Sequence, residues 1–290
     1  MRHLKIHVTT PELRLYPIND VQIGASGCDL DAFASYIDEA VRDKQGQFFG
    51  AGDYTDGISP SNRRALAVAY DNGSIYDTLQ NMIDDAGRRQ ALDFVNITKK
   101  AKGRVPYWLK GHHLMPYKVR QRDGTYVVRT TDHDIADALG GVYLGDSEER
   151  MSQVLVSYVF PKVKRSAPAP VLTMYVMHGQ SKGGTSNTYS SPLSTLQRMT
   201  ATFNADIYFT AHFHKVVAAR HVKLSQDPNS KTKLDATDSL LVAGGSWLKS
   251  YMPDEVTYAE DGVMSPLAIG TVPMDIRVRE DGTFKLRALV

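Results

Sequence analysis

What the sequence lacks narrows it first. Its single cysteine, Cys28, excludes an internal disulfide and fits a reducing compartment. Long apolar runs are missing too. Met1-Arg-His-Leu-Lys-Ile-His7 has no secretory hydrophobic core, and a stretch such as Val171 to Met177 falls far short of the roughly 20 apolar residues that span a bilayer. A soluble, cytoplasmic protein with no membrane partner is expected. Nor does one sign of charge dominate: 34 Lys and Arg against 32 Asp and Glu leave a net +2 and a pI near 8.4. Any anionic partner must therefore be met by a local patch. Internal repeats and low-complexity tracts are absent. What remains is 290 residues, 42% of them hydrophobic, enough for a large core, and residues 1–290 read as one domain.

Taken in order, the chain alternates apolar segments with turn signals. Leu13 to Asn19 reads as a strand ending at Asp20-Val-Gln22. Asp29 then caps a helix with Leu30, Phe33, Ile37 and Val41 on one face. Phe48 and Phe49 form a strand that stops at Gly52-Asp53. Residues 62–102 read as largely helical, with Ile75, Leu79 and Met82 or Ile83 spaced for a buried side. Val105 to Leu109 leads to Gly111-His112-His113.

Further strands are expected over Val142 to Leu144, Met151 to Phe160, and Val171 to Met177 ending at His178-Gly179. A short helix covers Ile135 to Leu139. After the glycine-rich Ser181 to Ser186, Ser191-Pro192 starts a helix with Leu193, Leu196, Met199 and Phe203 on one side. It delivers the chain to Asp206-Ile-Tyr-Phe-Thr-Ala-His-Phe-His-Lys215. In extended backbone His212 and His214 point the same way. Val216 to Leu224, Leu240 to Ala243 and a hairpin from Met274 to Arg287 complete the strands.

Strand ends thus supply Asp20, Asp53, His112, His113, His178, His212 and His214, five of the nine histidines among them. Carboxylates with imidazoles suit manganese, iron or zinc, and a shared aspartate can bridge two ions about 3.5 to 4 Å apart. Tyr117 to Arg129 alternates around Asp123-Gly124, a two-residue hairpin signal. In that register Lys118, Arg120, Arg122 and Arg129 share a face, either simply solvated or contacting phosphate.

The series resembles the calcineurin-like metallophosphoesterase superfamily, whose motifs run Asp-x-His, Gly-Asp, Gly-Asn-His-Asp/Glu, His and Gly-His-x-His. Here they read Asp20-Val-Gln22, Gly52-Asp53, Gly111-His-His-Leu114, His178-Gly179 and Ala211-His-Phe-His214. Ala138 to Gly145, Gly244-Gly-Ser-Trp-Leu-Lys249 and Tyr258-Ala-Glu260 extend the likeness to members found in bacteriophages and prophages, which would place the protein in a host cytoplasm. The resemblance implies an α/β fold, a four-layer αββα sandwich of two mixed sheets flanked by helices. It implies two divalent ions, manganese foremost, with iron, zinc or nickel as alternatives. Asp20, Asp53 and His214 would hold one ion, with Gln22 where histidine is usual. Asp53, His112, His178 and His212 would hold the other. His113 matches the histidine that contacts phosphate and assists the leaving oxygen.

His112 stands for asparagine and Leu114 for an acid. The activity implied is phosphoester hydrolysis by metal-activated hydroxide, a phosphodiesterase or nuclease first, with nucleic acid as a candidate substrate. The alternatives are a phosphomonoesterase acting on a nucleotide or phosphoprotein, and a metal-poor, non-catalytic binder of nucleic acid or protein. Gly52-Asp53 continues Tyr-Thr-Asp-Gly57, without the arginine of the serine/threonine protein phosphatases.

Overall fold

The computed structural model describes residues 1–57, 68–69, 72–73, 76–120, 122–145, 152–179, 190–226, 234–253 and 267–290. The expected loop at 181–186, the start of the 62–102 section with Ile75, and Tyr258 to Glu260 lie outside them.

Two six-stranded mixed sheets carry the fold. One is built from β1 (Arg2–His7), β8 (Gln153–Val159), β9 (Val171–His178), β10 (Ile207–Ala211), β12 (Leu234–Ala243) and β11 (Val217–Gln226), side by side in that order. The other runs β14 (Phe284–Ala288), β13 (Met274–Val278), β2 (Glu12–Ile18), β3 (Gly46–Gly50), β4 (Tyr107–Trp108), β7 (Val142–Tyr143). Within the first, β9, β10 and β12 are parallel, with Ala211 opposite His178. In the second, β2, β3, β4 and β7 are parallel, with Ile18 opposite Gly50 and Gly50 opposite Trp108.

Alternation along these strands sorts residues into layers, because successive side chains of extended backbone point to opposite faces. Leu13, Leu15, Phe49 and Tyr107 pack against Val156, Met174, Phe209 and Val242 in a core between the sheets. Tyr16, Ile18, Phe48 and Trp108 face outward, onto α1 (Leu30–Arg42), α2 (Asp77–Thr98) and α3 (Thr131–Leu139). On the far side Tyr175, Tyr208 and Leu241 pack against α4 (Ser190–Thr202) through Leu193, Leu196 and Met199. Helix, sheet, sheet, helix is the expected four-layer order. Among the described residues no helix is long and apolar enough to cross a membrane.

Several sequence expectations need correction. The edge strand β1, paired in parallel with β8, was not anticipated. Its run Arg-His-Leu-Lys-Ile-His has only two apolar residues, because an edge strand buries little. Asp29 caps α1 as expected, its Oδ1 accepting from the Ala32 amide at 3.1 Å. Leu30, however, lies 42% exposed, since the first turn overhangs the core. In α2 the buried face is Gly87, Ala91, Phe94 and Thr98, while Leu79 and Met82 face solvent. The helix packs by its C-terminal half.

The hairpin of β5 (Pro116–Arg120) and β6 (Tyr126–Thr130) forms, but one residue out of the expected register. Tyr117 pairs with Arg129 and Lys118 with Val128. A slip of one residue reverses the face. Arg129 therefore stands opposite in facing to Lys118 and Arg120 and joins Asp134 and Asp137 of α3. Only backbone is described for Lys118 and Arg120, and Arg122 is exposed at the turn.

Phe94 sits at 5.4 Å from Tyr54, 5.8 Å from Phe33 and 6.1 Å from Trp108, ring centre to ring centre. Phe94→Ala should cost about 3 to 5 kcal/mol in urea unfolding, whereas Met82→Ala should stay within about 0.5 kcal/mol. Equal losses would contradict this assignment of the α2 faces.

Candidate metal centre

The carboxyl ends of β2, β3, β4, β9 and β10 converge on one edge spanning both sheets, and every candidate ligand leaves one of these ends. The loops after β2 and β3 run together: the Asp20 amide donates to Gly52 O at 3.0 Å and the Gln22 amide to Asp53 O at 3.1 Å. Trp247, beyond β12, donates its amide to Asp20 O at 3.1 Å. These bonds hold unusual backbone. Asp20, Gln22, Asp53, His212 and His214 have φ values of 46°, 51°, 56°, 78° and 53°, and they are the non-glycine residues with positive φ among those described. Left-handed backbone is costly for side-chain-bearing residues and persists where the surroundings fix it. Here it lies where Asp20, Asp53, His212 and His214 leave the strand ends for the cluster.

At the centre is Asp53, 1% exposed. Its Oδ1 accepts from the amides of His112 at 2.5 Å and His113 at 2.8 Å. That close approach requires glycine at 111, where a Cβ would collide with the Asp53 amide and carboxylate. Asp53 Oδ2 lies 3.1 Å from His178 Nε2, and each of these buried atoms has no partner besides the other. His178 Nδ1 is committed to Ala51 O at 2.7 Å, which aims Nε2 at the cluster. His112 and His212 bring their Nδ1 atoms within 3.3 Å of each other. One potential ligand atom from each of Asp53, His112, His178 and His212 lies within 4.8 Å of the others, so the group could hold a metal ion.

Asp20, fully buried, flanks this group. Its oxygens accept from the His212 amide at 2.9 and 3.2 Å, and from Asn19 Nδ2 at 2.9 Å. His214 Nε2 approaches it to 3.4 Å. Gln22 is 4% exposed. His113 stands beside the cluster, its Nδ1 3.1 Å from Asp56 O and 3.5 Å from Asp56 Oδ1.

Burial opposes ionisation of both carboxyls, but the imidazoles outweigh it. Asp53 is held well below the carboxylate range by His178 and His113, and Asp20 is lowered by the hydrogen bond and charge of His214. Burial also disfavours a charge on His178, yet Asp53 and Asp20 push it up to about 9. Burial and that neighbouring charge push His212 down to about 4 and lower His112. Against its burial, the bonds to Asp56 raise His113. Ionised carboxylates beside imidazoles form a donor set that fits a divalent transition ion, whose binding would displace the proton that Asp53 holds on His178.

Solved structures similar to this chain include Vps29 from Chaetomium thermophilum, 10% identical over 96% of this chain and 94% of that one with TM-score 0.38. A single-substitution variant of Vps29 from Entamoeba histolytica is 10% identical over 96% and 98%, TM-score 0.36. Wild-type Vps29 complexed with Zn2+ from the same organism is 14% identical over 64% and 83%, TM-score 0.22. No protein-family model and no curated protein matches the chain. Likeness this remote decides nothing about chemistry, which rests on the geometry above.

Of the residues singled out from sequence, Asp20, Gln22, Asp53, His112, His113, His178, His212 and His214 share this edge, whereas Arg129 turns away from it. Two contributors went unrecognised. Asn19 is buried and links Asp20 to Gly245 O at 2.8 Å and to Thr271 Oγ1 at 2.8 Å. Its place beside Asp20 at a strand end was the available signal. Asp132, 1% exposed, lies beside the Gly111 turn, and its Oδ2 accepts from the Tyr143 hydroxyl at 3.5 Å. In sequence it reads only as an acid in the first turn of α3.

Burial, reinforced by Asp53, pushes the Asp132 carboxyl up to about 7 from its ordinary 3.8. With the folded value above the unfolded one, the protein loses stability as pH rises through that interval. For metal-free protein, Asp132→Asn should therefore gain urea resistance relative to the parent between pH 5 and pH 8. A gap that stays constant across that range would contradict the buried acid.

Proposed function

We propose that this chain is a metal-dependent phosphoester hydrolase of the calcineurin-like metallophosphoesterase type, with phosphodiesters as its preferred substrates. The observation that carries this reading is the pairing at Asp53. A buried carboxylate oxygen and a buried imidazole nitrogen face each other at 3.1 Å and bond to nothing else, among further ligand atoms from His112 and His212. Ligating groups buried against one another are costly to desolvate, and a cation between them would offset the penalty.

Asp53, His112, His178 and His212 would hold one ion, and Asp20, Asp53 and His214, with Gln22, a second. When bound, such ions polarise phosphoryl oxygens and acidify water. The chain's own groups do the rest. Amides of His112 and His113 fix the shared carboxylate, and Asn19 and the His212 amide fix Asp20. His113, with Nδ1 tied to Asp56, is oriented to give a proton to the departing oxygen through its other nitrogen.

One observation disfavours a protein phosphatase. Gly57 occupies the position after Asp56 with φ 54°, and a Cβ there would run into His113 O, so no arginine fits. For a nucleic-acid substrate the support is Lys118, Arg120 and Arg122 alone, since Arg129 is engaged with α3.

With manganese added, hydrolysis of a bis-aryl phosphate should exceed that of the mono-aryl phosphate. Asp53→Asn should reduce the diesterase rate by at least ~10²-fold, the scale of losing a charged catalytic support, while circular dichroism stays unchanged. Undiminished turnover in the folded variant would overturn the proposal, and faster monoester cleavage would reassign the substrate class.

A further inference from the structure

Building on that metal-centre reading, we infer that the two sides of the cluster bind cations unequally: the His112, His178, His212 and Asp53 side takes a zinc-class ion first and tightly. The Asp20 side takes a second, harder ion weakly and exchanges it.

Three observations separate the sides. The first is donor type. Three imidazoles and one carboxylate are the number and kind of ligands of a tetrahedral zinc site, whereas Asp20, Asp53, His214 and Gln22 offer mainly oxygen, which suits manganese or magnesium. The second is spacing. A tetrahedron with bonds of about 2.0 to 2.1 Å has edges of about 3.3 to 3.4 Å. The His112 to His212 nitrogen pair is at 3.3 Å and the Asp53 to His178 pair at 3.1 Å, with all four ligand atoms inside 4.8 Å.

The third is prior commitment. Both Asp20 oxygens already accept hydrogen bonds, from the His212 amide and Asn19 Nδ2, which draw electron density from the carboxylate. Gln22 adds only a neutral amide oxygen. By contrast, Asp53 Oδ2 accepts from no amide and faces only His178 Nε2, at 3.1 Å.

The test uses the full chain stripped with a chelator and titrated with Zn2+, then with Mn2+, followed by calorimetry and by the electron paramagnetic resonance of free Mn2+. One equivalent of Zn2+ should bind at least ~10-fold more tightly than the next ion, within the range that ligand environment moves metal affinity. The zinc-loaded protein should then take up one Mn2+ that exchanges freely. His212→Ala should remove the tight class. Should that variant misfold, Gln22→His gives a second reading, because a fourth nitrogen-or-acid donor on the weak side should tighten the second equivalent and leave the first unchanged.

Two equivalents of equal affinity, or a tight class that survives His212→Ala and vanishes in Asp20→Asn, would overturn the inference while leaving the metal centre standing. Absence of binding by any divalent ion would overturn both.

Discussion

Two carboxylates buried within one cluster set the terms for this structure. Neither Asp20 nor Asp53 has access to solvent to spread its charge, and a lone buried carboxylate would take up a proton. They stay ionised because peptide amides and imidazoles are aimed at them: the amides of His112 and His113 on Asp53, that of His212 on Asp20, and the rings of His178 and His214 alongside. These partners arrive from three strand ends, those of β4, β9 and β10, and the carboxylates from two more, those of β2 and β3. The fold's first task is therefore to bring five strand ends to one edge, and the inter-sheet core does so by fixing the two sheets against each other.

Local strain follows from that demand. A strand running straight on would send its last side chain along the sheet rather than into the cluster. Left-handed backbone at Asp20, Gln22, Asp53, His212 and His214 supplies the turn, and glycines at 52 and 111 clear the space beside it. Such conformations are tolerated where neighbouring hydrogen bonds fix them, and here the loops after β2 and β3 and the segment at Trp247 bond to one another. Rigidity at the edge thus comes from backbone pairing across loops. Aromatic packing of Tyr54 against Phe94 and Trp108 secures it from beneath.

Much of this was legible in the sequence. Apolar runs that stop at Asp20, Asp53, His112, His178 and His212 disclosed strands whose ends carry the candidate ligands, because hydrophobic period is a local property. The four layers were what the family resemblance of those strand-end motifs implied. What escaped depended on distant partners. Nothing in Arg2 to His7 announces a strand, since its pairing with β8 comes from 150 residues away. A register one residue off moved Arg129 from the expected basic face onto Asp134 and Asp137. Asp132 looked like a helix-start acid until the Gly111 turn was seen to lie over it. Burial of the C-terminal rather than the N-terminal half of α2 likewise depends on where the sheet ends.

Left-handed backbone at the sheet edge serves to place charge, and the central claim is that Asp53 joins residues from both sheets around a cation. Crystals of the full chain grown with Zn2+ and measured at a wavelength where that ion scatters anomalously test it most directly. The account predicts an anomalous peak within bonding distance of Asp53 Oδ2 and His178 Nε2. Well-ordered electron density at these side chains with no peak between them, in crystals that hold the ion elsewhere, would contradict it.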